Sequence, residues 1–156
     1  MSGHGYAQPI QQALEFFDRT LSVFTEEDSS FAPTSDQYTV AQQVAHVAHT
    51  IDWFMAGGFG AGFDLDFAAH DKEVRQYQSL AEARAWLARA IDAATATLAR
   101  KSPEEMMASL PEGGVLGGEP RAAVVGAICE HTAHHRGSLA VYARLLGRRP
   151  PIPYTD

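Results

Sequence analysis

CEHTAHHRGSLAVYARLL, residues 129–146, reads as one long helix with His131 and His135 four positions apart. Side chains at i and i+4 share a helix face, with Cβ atoms about 6 Å apart. Two imidazoles can therefore reach one metal ion without bending the backbone. The same face continues through Ser138 and Tyr142, and back through Ile128 and Val124. The two rings thus leave a core stripe, where ring nitrogens need hydrogen-bond or metal partners. His134 is one residue off that face, which suits a supporting or surface role better than direct ligation.

Working outward, this helix starts near Pro120, a position that suits proline in a first turn, and runs to Leu146, with Gly147 ending it. The tail RRPPIPYTD cannot be helical and is expected to lie extended over the body. Upstream, residues 1–5 are expected to be loose. A first amphipathic helix runs from Tyr6 or Ala7 to about Glu27 on a stripe of Ile10, Leu14, Phe17, Leu21 and Phe24. A second runs from Thr39 to about Ala56, with Val40, Val44, Val47, Ile51 and Phe54 as its apolar face, and Gly57-Gly58 ends it. A third spans Ser79 to Arg100, opened by a Ser79/Glu82 capping-box signature and rich in alanine on its buried face.

Residues 57–78 read as an irregular connection of the length typical of lids and binding loops. Residues 102–119 read as a loop or short hairpin. Four amphipathic helices and no convincing strand predict an all-α four-helix bundle, with residues 1–156 as one domain. The long connections favour a topology other than a minimal up-down bundle.

The formal net charge is −7, and the only basic cluster is Arg144, Arg148 and Arg149, read as charge at a helix C-terminus. A nucleic-acid partner is therefore not expected. Apolar runs are too short for a membrane span, and no signal peptide is visible. The single Cys129 excludes an intrachain disulfide and fits a cytoplasmic location. It reads as a small buried hydrophobe.

The second helix offers His46 and His49, either of which can complete a three-imidazole site if it packs beside the last helix. Three protein ligands with an open position form the pattern of a catalytic metal. Nitrogen ligands suit Zn²⁺, Ni²⁺, Fe²⁺ and Cu²⁺ without choosing among them. The competing reading is a set of core histidines that satisfy one another. Around them, Trp53, Tyr142 and Phe59 can line a pocket, with core packing the safer reading for Trp53. Glu130 points to the surface, and Arg136 reads as an ion-pairing residue. Asp64, Asp66, His70 and Asp71 read as a solvated loop rather than a second metal site.

The segment EHTAHHRGSLAVYARLLGRRPP closely resembles the C-terminal signature of the DinB family, H-x-x-x-H-R-G-Q followed by an apolar helix, L-G and prolines. His131, His135, Arg136 and Gly137 meet that pattern, with Ser138 where glutamine is usual. The segment YTVAQQVAH resembles the family's first ligand segment and implies His46 rather than His49 as third ligand. The resemblance implies a bundle holding one divalent ion, zinc or nickel, on His46, His131 and His135, and a homodimer. It implies a metal-dependent enzyme, either a transferase using a low-molecular-weight thiol or a hydrolase, acting on a small-molecule substrate. His49 and His134 are the expected catalytic residues, orienting ligands or moving protons. The alternatives are a non-catalytic metal-binding or stress-response module, and a plain helical interaction protein.

Overall fold

The structure, a computed structural model, describes residues 4–155. Four long helices, α1 (His4–Leu21), α2 (Val40–Phe59), α4 (Leu80–Ala99) and α6 (Ala123–Leu145), carry the fold. Two short ones, α3 (Phe67–Arg75) and α5 (Pro103–Met107), lie in the connections, and Glu26–Asp28 is a 3-10 turn. Among the described residues there is no strand, only an isolated bridge between Ser109 and Pro120. The all-α class is as expected.

α1 packs on α4 and α6, and α2 packs on the same two helices. The first two long helices are therefore diagonal partners rather than neighbours, unlike those of a minimal up-down bundle. Phe17 and Leu21 of α1, Val47 and Ile51 of α2, Leu98 of α4 and Ile128 and Leu139 of α6 meet in one buried core. Ala83, Ala90 and Ala94 of α4 are also buried and keep that helix close to its neighbours.

Several boundaries differ from the sequence reading, each for a local reason. α1 begins at His4, so residues 4 and 5 are helical; residues 1–3 lie outside the described residues. It stops at Leu21 rather than Glu27 because Asp28 binds elsewhere: its carboxylate accepts from the Thr25 amide at 2.8 Å and holds the Arg148 guanidinium. Arg148 is thus paired across the molecule, and also donates to the Val23 carbonyl at 2.9 Å. Glu26, in the same turn, accepts from the Leu80 and Ala81 amides and so caps α4 together with Ser79.

α2 continues through Gly57 and Gly58 instead of ending there. A Cβ on Gly58 would sit 2.7 Å from Val124 of α6, and one on Gly57 would sit 2.2 Å from the Phe63 ring. Both glycines serve close packing rather than termination.

The 57–78 connection is not irregular throughout. Asp66 caps α3 by accepting from the Ala69 amide at 3.0 Å, and Val74 buries its side chain. Tyr38 donates to Asp71 at 2.7 Å and Gln42 donates to the Arg75 carbonyl at 3.0 Å, which ties α3 to the start of α2. In residues 102–119, a Ser102/Glu105 capping box opens the unforeseen helix α5.

α6 starts at Ala123, after a turn at Pro120, and ends as expected at Gly147 (φ +73°). The Gly147 amide donates to the Arg144 carbonyl and the Arg148 amide to the Ala143 carbonyl, the paired bonds of a Schellman motif. The tail then runs back along α1, where Arg19 donates to the carbonyls of Pro153 and Thr155.

Candidate metal centre

α2 and α6 pack side by side and bring His46, His131 and His135 together. The His131 Nε2 lies 3.2 Å from the His46 Nε2 and 3.2 Å from the His135 Nε2. His135 is buried, and the other two are half-buried.

A hydrogen-bond chain behind His135 fixes its tautomer. The Tyr142 hydroxyl donates to the Tyr38 carbonyl at 2.9 Å, so it accepts from the Gln43 amide nitrogen at 3.1 Å. The Gln43 carbonyl oxygen then faces the His135 Nδ1 at 2.5 Å and takes its proton as an acceptor. With the proton on Nδ1, Nε2 presents a lone pair to the other two rings. One proton on the His131 Nε2 can bridge only one of its two 3.2 Å contacts in good geometry. Hydrogen bonds alone therefore leave lone pairs facing one another.

A cation answers that arrangement. Ligand bonds near 2.0–2.1 Å in a tetrahedron separate nitrogens by about 3.3 Å, close to both contacts. The rings are also kept in the ligating state. Burial first, and the neighbouring imidazoles second, hold His46 and His131 down at about 4 and His135 at about 2. All three are neutral at pH 7. The donor set fits a divalent metal.

One side of the cluster opens on a cavity of about 410 Å³. His46 and His131 line it, while His135 stands behind them. Thr50, one turn beyond His46, places its hydroxyl 3.4 Å from the His131 Nε2. Trp53, Phe54 and Phe67 make an aromatic wall, and Tyr38, His70 and Asp71 complete the rim. Burial, reinforced by the Asp71 carboxylate, pushes the Tyr38 phenol up to about 12, so it is a donor and not a base. A larger cleft of about 640 Å³ lies between α6 and the tail, but no imidazole lines it.

His49 lines the same cavity without joining the three-imidazole cluster; its Nε2 lies 3.1 Å from the His70 Nδ1. His134 is exposed, edge-on to the His135 ring, and does not line the cavity. Trp53 is a cavity wall rather than a core residue, its indole nitrogen donating to the Asp64 carbonyl at 2.6 Å. Tyr142 supports His135 from behind, and Phe59 packs away from the cavity. Glu130 is exposed. Among the described residues of the chain Arg136 makes no ion pair; it sits over the rings of Phe16 and Tyr154 and donates to the Tyr154 hydroxyl at 3.0 Å. Cys129 is half-buried against the core, and burial pushes its thiol up, away from the reactive thiolate. His70, Asp71 and Asp66 belong to α3 or its cap rather than to a solvated loop.

Gln43 and Thr50 escaped the sequence reading as site residues. They stand at i−3 and i+4 of His46, and that spacing was the available signal. Phe67 carried no such signal, because α3 itself was not foreseen, and His70, read as part of a solvated loop, was not placed at the cavity.

An all-helical fold with three imidazoles from two adjacent long helices, open to one cavity, defines the class. Comparison with protein families matches residues 10–139 to the DinB superfamily. The chain belongs to that superfamily. A search of curated proteins finds no match.

Proposed function

We propose that the protein is a metal-dependent enzyme that holds one divalent ion on His46, His131 and His135 and reacts a small, partly aromatic or apolar substrate in the adjoining cavity. The observation that carries this reading is the shared wall: two of the three imidazoles line a 410 Å³ cavity. A closed structural ion would need a fourth protein ligand there, and the Thr50 hydroxyl, 3.4 Å from the His131 Nε2, is a poor one. Zinc or nickel suits the all-imidazole donor set.

A bound ion supplies Lewis acidity and lowers the pKa of a water or thiol in its open position towards neutrality. The chain does the rest. Gln43 keeps the His135 Nε2 lone pair aimed inward. Trp53, Phe54 and Phe67 exclude water from one side of the substrate and favour apolar groups. Thr50 offers a hydroxyl donor at the cavity wall, and Tyr38, whose proton is held by Asp71, offers a hydroxyl acceptor, to orient polar atoms. His49, neutral through burial, is placed to take a proton from a reacting group. His134 would act only through the ring of His135. The open, aromatic cavity supports thiol transfer or hydrolysis over a non-catalytic module.

The test is elemental mass spectrometry on untagged wild type and His131→Ala, followed by thiol-transfer and hydrolase screens. About one tightly held equivalent in wild type, lost in the variant, is expected. Metal-loaded protein that forms no thiol adduct and turns over nothing across broad panels would end the enzyme reading.

A further inference from the structure

We propose a second cation site on His49, His70 and Glu73, which clamps α3 against α2 at the rim of the same cavity. Its ligands are distinct from the three-imidazole set. The His49 Nε2 lies 3.1 Å from the His70 Nδ1 and 3.8 Å from a Glu73 carboxylate oxygen. One ligand atom from each residue falls within 4.8 Å of the other two. Two imidazoles and one carboxylate form a donor set suited to Zn²⁺ and other first-row divalent ions.

The second observation is the state of His70. Its Nε2 lies 3.1 Å from the Asp64 backbone carbonyl, which can only accept. The ring proton therefore sits on Nε2, and the Nδ1 lone pair points at the His49 Nε2, which donates to it when no cation is bound. A ligating histidine that gives its other N–H to a carbonyl is the arrangement metal sites use to fix a ring. His70 and Glu73 are three positions apart on α3, so one helix face presents both. His49 comes from α2, three positions beyond His46.

The clamp has a mechanical consequence. α3 buries only Val74 of its own side chains, and polar ties hold it to the start of α2 and the segment before it: Tyr38–Asp71, Gln42–Arg75 and Arg75 to the Asp36 carbonyl. A cation shared between α2 and α3 adds a further tie across the cavity mouth, where Phe67 and His70 stand. Occupancy also takes the His49 lone pair that proton transfer would use, so a filled second site and a basic His49 exclude each other.

The experiment is equilibrium dialysis of metal-free full-length protein against saturating Zn²⁺, with bound zinc counted by elemental analysis and helical content checked by circular dichroism. Glu73 is exposed, so Glu73→Gln leaves the fold intact. Wild type is expected to bind about two equivalents, and His70→Ala, Glu73→Gln and His131→Ala about one each. Zinc should also slow amide exchange across residues 67–75 in wild type and His131→Ala, but not in Glu73→Gln. A single equivalent in wild type that His70→Ala retains overturns the site, as do two equivalents retained in both α3 variants. Loss in only one of those variants overturns the ligand set. A single equivalent lost in His70→Ala and kept in His131→Ala would support this site while removing the three-imidazole centre.

Discussion

His135 on α6 donates its Nδ1 proton to the side-chain oxygen of Gln43 on α2, 2.5 Å away. Gln43 is oriented in turn by the Tyr142 hydroxyl at 3.1 Å. The amide thus decides which nitrogen of His135 faces the other imidazoles. Gln43→Leu keeps the volume and removes the acceptor, freeing the ring to turn or change tautomer. Zinc affinity should fall by about tenfold to a hundredfold, with Tyr142→Phe costing less. Chelator competition at constant helical content measures it. Wild-type affinity in Gln43→Leu would remove the amide from the site.

The imidazole cluster also sets a pH dependence for the metal-free protein. In the folded chain, burial keeps His46 and His131 neutral down to about 4 and His135 down to about 2. In the unfolded chain each takes a proton near pH 6.5. Below about pH 6.5 the unfolded state binds more protons, so stability falls as pH falls, and above it these groups contribute no slope. Each ring adds at most about 1.4 kcal/mol per pH unit. Urea unfolding of chelated protein between pH 7.5 and 5 should show that decline, made shallower by His131→Leu. A flat profile would mean the rings protonate freely in the folded state.

The fold was legible where apolar periodicity is strong. Ile10 to Leu21, Val40 to Ile51, Leu80 to Leu98 and Val124 to Tyr142 gave the long helices because each stripe meets a common core. Their ends were legible only where one residue decides, as Gly147 does through its positive φ. The ends of α1 and α2 depend on partners distant in sequence. Arg148 reaches Asp28 across 120 positions, and Val124 makes room for no Cβ on Gly58. Neither fact has a local signal. α3 stayed hidden because a short helix with one buried residue has almost no stripe to read. With it went Phe67 and His70, and so one side of the cavity. The His131/His135 pair was legible from i, i+4 spacing, whereas choosing His46 over His49 required the resemblance, since spacing alone does not say that His46 faces α6 while His49 faces α3.

The Asp28–Arg148 pair should be a stability element independent of the site. Asp28 is buried, and the Arg148 guanidinium, with the Thr25 amide, holds its carboxyl below the usual carboxylate range. A depressed carboxylate stabilises the fold above its unfolded value near 3.9 and loses that contribution as pH falls through the lower folded value. Arg148→Met strands the carboxylate and should lower the melting temperature by about 5 °C at pH 7. The gap between variant and wild type should close below about pH 4 as Asp28 protonates in the variant. Scanning calorimetry at both pH values checks it; a gap that persists in acid would assign the loss to packing of the arginine stem.

The outer face of α6 bears on assembly. Val141 and Leu145, one turn apart, are 55% and 59% exposed. Ile152 of the tail, 65% exposed, lies beside Gly137, Ala140 and Arg144 of the same helix. A stable interface removes about 800 Å² from each partner, more than two side chains supply. The tail and the small residues of α6 extend the face towards that size. We propose that two copies of the chain pair here, the homodimer that the family resemblance implies. Light scattering at micromolar concentration should give the dimer mass for wild type and the monomer mass for Val141→Asp/Leu145→Asp. Both side chains point away from the imidazoles, so the variant should keep its zinc. A monomeric wild type would remove the dimer, and a dimeric variant would move the interface to another face.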